Sequence, residues 1–116
     1  MIQGIHHIAL IVSSEDSITF YKQLGFDEFK RIERQYDTVV LMRGHGVGLE
    51  IFVDAKHLPR SHPEPLGLRH MALQVDDIEN LVRTMESDTD SIKMDWLGEK
   101  YCLLADPDGN VIELHE

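Results

Sequence analysis

The chain has 116 residues, 42% of them apolar, and 11 basic against 21 acidic side chains give a formal charge of −10. That length suits one domain or two small modules, and the apolar share excludes a disordered tail. The acidity opposes a phosphate backbone and so argues against nucleic-acid binding, while the lone cysteine, Cys102, excludes an internal disulfide framework and fits a reducing, cytoplasmic setting.

No apolar run approaches a membrane span, and residues 1–12 lack the basic start and cleavage site of a signal peptide. Ile5 to Val12 alternates with period two and is expected to be a strand. Ser13 or Ser14 then caps a helix whose first turn carries Glu15 and Asp16, suited to the helix dipole. Ile18, Tyr21 and Leu24 share one face of it, and Gly25 ends it. Strands are expected at 26–33, 36–43 and 47–53. Residues 54–66 hold three of the four prolines and read as a linker. Leu68–Val75 is the next strand, and Asp77 caps a helix with Ile78, Leu81, Val82 and Met85 at helical spacing. Strands near 91–96, 101–105 and 110–115 follow, the last two joined by a DPDG turn.

The order of elements is thus written twice. GIHHIALIV at 4–12 can be laid on GLRHMALQV at 67–75 with an offset of 63, and five of nine residues match, where chance gives about one. Val47-Gly48-Leu49-Glu50 falls on Asn110-Val111-Ile112-Glu113 with the same offset, and Arg43-Gly44-His45-Gly46 on Asp106-Pro107-Asp108-Gly109. From His7 to Glu50 is 43 positions, and from His70 to Glu113 is again 43. The reading is therefore α+β, with two βαβββ modules at 1–53 and 67–116 joined through 54–66.

Strand parity separates two faces. Ile8, Leu10 and Val12 oppose His7, Ala9 and Ile11, and Leu49 and Ile51 oppose Gly48 and Glu50. In the second module Met71, Leu73 and Val75 oppose His70, Ala72 and Gln74, and Ile112 and Leu114 oppose Val111 and Glu113. The bulky apolar face is expected under the helices. The other face carries one His or one Glu per strand. Duplicated modules keep core patterns, which accounts for the repeated Gly, Ala, Leu and Val but not for paired Glu. A buried strand carboxylate is costly unless it is paired or ligates a metal. His7, Glu50, His70 and Glu113 make an N₂O₂ set suited to a borderline divalent ion such as Zn, Ni, Co, Mn or Fe.

His6 has the opposite parity to His7 and is read as a non-ligand. His45, His57 and His62 fall in a turn or the linker and are read as solvated. His115 shares the face of Glu113 at the end of the chain. Cys102 is read as a small core residue. Arg60, Arg69 and Lys100 are the cations weighed as anchors for an anionic substrate.

HHIALIV at 6–12, LEIF at 49–52, LRHMALQV at 68–75 and DPDGNVIELHE at 106–116 together resemble the vicinal oxygen chelate superfamily (glyoxalase I, extradiol dioxygenases, bleomycin-sequestering proteins). The resemblance covers essentially the whole chain. It implies paired βαβββ modules forming a cleft around a divalent metal, with His7, Glu50, His70 and Glu113 as ligands and a homodimer as the expected assembly. The His/Glu/His/Glu order is similar to glyoxalase I. That likeness implies a lyase or isomerase acting on a hemithioacetal or other vicinal-oxygen substrate through an enediolate. Glu113 would be the base, and Glu50 would hold the ion or share that role. Glyoxalase I binds glutathione through an arginine on its first strand and an asparagine after its first Glu, whereas Ile11 and Asp54 stand here. A different thiol or another small oxygenated substrate is therefore expected. The alternatives are another branch, dioxygenase or epimerase, and a non-catalytic ligand-sequestering module.

Overall fold

A computed structural model describes residues 1–116. The chain divides into two compact units, Met1–Leu58 and Pro59–Glu116, so the boundary falls inside the proline-rich segment. Each unit holds a four-stranded mixed sheet, giving an α+β fold. No helix is long and apolar enough to cross a membrane.

In the first unit, β1 (His7–Val12) leads into α1 (Glu15–Gln23), then β2 (Asp27–Glu33), β3 (Thr38–Gly44) and β4 (Val47–Val53). The Ser14 hydroxyl accepts from the Asp16 N–H and caps α1. Gly25, at φ 93°, turns the chain out of the helix. The sheet order is β1-β4-β3-β2, with β1 and β4 parallel and the other pairs antiparallel. Val12, Ile18, Tyr21, Phe26, Val40, Met42, Leu49 and Ile51 are buried and form its core. A two-residue turn joins β3 to β4. His45 and Gly46 both have positive φ, 56° and 78°, which suits the right-handed twist of the strands it connects.

The second unit repeats the plan with β5 (Met71–Gln74), α2 (Ile78–Thr84), β6 (Lys93–Met94), β7 (Lys100–Ala105) and β8 (Val111–His115). Its sheet runs β5-β8-β7-β6, again with the first pair parallel. The Asp77 carboxylate caps α2 by accepting from the Asn80 N–H. Ile78, Val82, Cys102, Leu104, Ile112 and Leu114 are buried. The repeat reaches the backbone, since Gly4 and Gly67, and Gly46 and Gly109, all have positive φ. It also reaches the register. Ala9 pairs with Glu50 in one unit, and Ala72 with Glu113 in the other.

The turns differ. Gly44 opposite Val47 closes a two-residue turn, whereas Ala105 opposite Val111 closes a five-residue loop. Asp106 organises that loop, with its carboxylate accepting from the Asp108 and Asn110 backbone N–H groups and the Asn110 side-chain amide. Two expected strands are shorter than the sequence suggests, β5 beginning at Met71 and β6 covering only two residues, and a 3₁₀ turn at Thr89–Ser91 was not expected.

Each unit ties a helix to its sheet through ion pairs. Arg31 on β2 binds Glu15 at the start of α1 and also Glu28. Lys100 on β7 binds Glu79 on α2 at 2.9 Å. The bond from Arg31 holds Glu28 below the usual carboxylate range, and that from Lys100 does the same for Glu79. A carboxyl whose folded pKa is depressed stabilises the protein above its ordinary value of 4.5 and loses this as pH falls. The melting temperature should therefore drop below about pH 5, with a shallower drop in Glu79→Gln. An identical acid profile for Glu79→Gln, by thermal scans at several pH values, would show that this pair contributes nothing.

Candidate metal centre

Register sets the open face of the first sheet. His7, Ala9 and Ile11 on β1 stand beside Gly48, Glu50 and Phe52 on β4, which in turn face Arg43, Leu41 and Val39 on β3. His7 sits next to Gly48, and the missing side chain leaves room for its ring. A Cβ at Gly48 would come within 3.3 Å of the His7 Cβ and 3.2 Å of the His6 carbonyl. His7 Nε2 lies 3.6 Å from a carboxylate oxygen of Glu50. In the second unit His70, just ahead of β5, places its Nε2 3.6 Å from a carboxylate oxygen of Glu113 on β8. The structure brings His7 to Glu50 and His70 to Glu113, and groups no three such donors.

A separation of 3.6 Å exceeds a normal N–H···O hydrogen bond. It is close to the span of two donors on one tetrahedral ion, about 3.4 Å for bonds of about 2.1 Å. The donor chemistry, one imidazole and one carboxylate per unit, fits a divalent cation, and the same distance fits an ion pair.

The carboxylates are less enclosed than expected. The Glu50 side chain keeps 33% of its exposure and Glu113 keeps 18%, with His7 at 44% and His70 at 29%. The expectation of buried strand carboxylates is corrected on this point, because neither sheet covers its own open face. The case for ligation rests on the repeated His–Glu geometry rather than on desolvation.

His6 has a closer role than its parity suggests. It precedes β1, where strict alternation has not yet begun, and its Nδ1 lies 2.8 Å from His7 Nδ1 with the rings edge to face. One of the two nitrogens must carry the proton. His45 is not a free solvated ring, since its Nε2 bonds to the Leu24 carbonyl at 2.7 Å and its ring packs edge-on to Phe26, tying the β3–β4 turn to the end of α1. His57 pairs with Asp54.

His115 does share the Glu113 side of β8, but its Nε2 is bonded to Asp95 at 2.8 Å and its Nδ1 to the Glu116 carbonyl. With both nitrogens engaged it braces the β6–β7 turn. Cys102 is buried beside the Ser91 hydroxyl. The three cations weighed as anion anchors each have a contact within the chain, although the buried Nε of Arg60 has no partner. Arg60 donates to the Leu68 carbonyl, Arg69 pairs with Glu64, and Lys100 with Glu79.

A different cation, passed over in the sequence, stands on the Glu50 face. Arg34 closes the β2–β3 hairpin opposite Asp37, and its guanidinium lies 5.4 Å from the Phe52 ring centroid. The signal was available in R-Q-Y-D at 34–37. Arg34 lies two residues beyond Ile32, which pairs with Val39, itself the partner of Phe52.

A model of the Glyoxalase/Bleomycin resistance protein/Dioxygenase superfamily matches residues 4–114. The uncharacterized protein YwkD of Bacillus subtilis is 32% identical, with 100% of this chain and 98% of YwkD covered. A glyoxalase family protein from Enterococcus faecalis of known crystal structure is 32% identical, with a TM-score of 0.88 and 98% of each chain covered. Lactoylglutathione lyase from Agrobacterium tumefaciens has the same fold at TM-score 0.69 and 18% identity, covering 97% of this chain and 92% of its own.

Proposed function

Because the chain belongs to the Glyoxalase/Bleomycin resistance protein/Dioxygenase superfamily, we propose that it is a divalent-metal-dependent lyase or isomerase of glyoxalase type. Its substrate would be a small hemithioacetal or related molecule with oxygens on adjacent carbons. The supporting observation is the pair of His–Glu contacts, His7–Glu50 and His70–Glu113, repeated at 3.6 Å in both units. His7, Glu50, His70 and Glu113 are the residues proposed to hold the ion. Such an ion would supply Lewis acidity at adjacent substrate oxygens.

The chain's own residues do the rest. Glu113 is assigned the proton transfer between adjacent carbons. Its pair is the more enclosed of the two, which favours a proton held away from bulk water. Glu50, more exposed, is assigned to holding the ion. Ile11 is half exposed on the same face as Glu50 and offers no charge to a glutathione carboxylate, so a thiol other than glutathione is preferred.

The first test is elemental analysis of protein purified without added metal or chelator. About one Zn, Ni, Co, Mn or Fe per chain is expected, followed by turnover of methylglyoxal with one of several thiols. No bound metal, and no uptake of Zn²⁺ or Ni²⁺ on addition, would sink the reading. A ligating His7 Nε2 requires its Nδ1 to carry the proton and donate to His6, which fixes the ring. His6→Ala should weaken metal binding about 10- to 100-fold in a chelator competition titration. Unchanged affinity would remove His6 from this role.

A further inference from the structure

The first unit carries a cation built into the face that holds Glu50. Arg34 and Asp37 flank a two-residue turn between β2 and β3, closed by the Arg34 N–H on the Asp37 carbonyl at 2.8 Å. The Asp37 carboxylate accepts from Arg34 Nε and Nη2 at 2.6 Å each. That carboxylate is almost fully covered, its side chain 6% exposed, so the guanidinium plane is fixed from one edge. Aromatic rings fix it further, with Cζ 4.6 Å from the Tyr36 centroid and 5.4 Å from that of Phe52. Asp37 takes Nε and Nη2, which leaves Nη1 as the remaining donor of the guanidinium. Phe52 is two residues from Glu50 on β4, about 7 Å along the strand. Of the other cations on this face, Lys30 pairs with Leu41, the partner of Glu50, and Arg43 rests on Phe29, and neither is held by a carboxylate.

On a chain of charge −10, an anion is repelled from most of the surface. A fixed donor on the reacting face is what would admit one. Resting on the function proposed above, we infer that Arg34 is a specificity residue for an anionic group on the substrate. That group is a carboxylate or phosphate lying a few bonds from the adjacent oxygens that face Glu50. Asp37 sets the plane of the guanidinium, and Phe52 and Tyr36 stack against it.

The probes are 2-oxoglutarate, which has adjacent oxygens and a distal carboxylate, and 2-oxopentanoate, which lacks the distal carboxylate. Both are titrated calorimetrically into the full chain, wild type, R34Q, R34K and R43Q, with and without Zn²⁺, after circular dichroism has shown each variant folded. A wild-type preference of at least about tenfold for 2-oxoglutarate is expected. It should vanish in R34Q, survive in part in R34K and stay intact in R43Q, with Zn²⁺ affinity the same in all four. An equal preference in wild type and R34Q, or its loss in R43Q instead, overturns the assignment. Failure of Zn²⁺ to bind any of the four sinks the chelation reading and not this one. Arg34 is then judged in the metal-free protein, where its Nε–H nuclear magnetic resonance signal should shift with 2-oxoglutarate. An unmoved signal overturns the inference.

Discussion

Zn²⁺ at 100 times its dissociation constant should raise the melting temperature of the metal-free protein by about 10 °C. Ligand bound only to the folded state stabilises it by about 2.7 kcal/mol at that concentration. A chain slightly above 100 residues gains about 4 °C per kcal/mol. The variants make the experiment informative. His7 and His70 lie in different units and are both partly exposed, so His7→Ala and His70→Ala should change metal-free stability by no more than about 0.5 kcal/mol. Each should nonetheless lose most of the Zn²⁺ shift, because one ion would be giving up one of four ligands. Two ions, one per His–Glu pair, would behave differently. Each variant would then keep the other site, and wild-type stoichiometry would be two per chain. A wild type indifferent to Zn²⁺, Ni²⁺ and Mn²⁺ would leave the fold as a scaffold for sequestering a small ligand.

Most of the frame behind this prediction is written locally in the sequence. Ser14 and Asp77 announce their helices because a cap needs only a side-chain oxygen at the right position. The His–Glu pairs are legible because two positions 43 apart recur with one offset, and a parallel β1–β4 or β5–β8 pair turns that spacing into proximity. What escapes notice depends on contacts between distant residues. Leu68 looks like strand, but its carbonyl accepts from Arg60 instead of a ladder partner, and β5 starts three residues later. β6 stops at Met94 because the Asp95 carboxylate takes the Leu97 and Glu99 N–H groups and bends the chain. Arg34 is invisible as a site residue until the hairpin register sets it beside Phe52. Carboxylate burial was overestimated because parity says which face a side chain takes, not how well that face is covered.

The sharper test of chemistry is Glu113→Gln. The amide is nearly the same size, keeps an oxygen that can face a cation, and cannot accept the substrate proton. If Glu113 moves that proton, kcat should fall about 10²- to 10⁴-fold at saturating metal. The melting temperature of the metal-free protein should hardly change, because the partly exposed Glu113 carboxylate meets His70 at 3.6 Å, too long for a normal hydrogen bond. Glu50→Gln is the matched control. It occupies the mirrored position, pairs with His7 at the same distance and is the more exposed. Weaker metal binding with a smaller fall in kcat at saturating metal would separate holding the ion from moving the proton. Equal losses in the two variants would instead mean that the carboxylates share the transfer, as their mirrored placement permits. Full turnover in Glu113→Gln would remove it as the base and pass the role to Glu50 or to water. Exchange of solvent deuterium into the substrate reads the proton transfer directly, so the three outcomes are separated even if product release limits kcat.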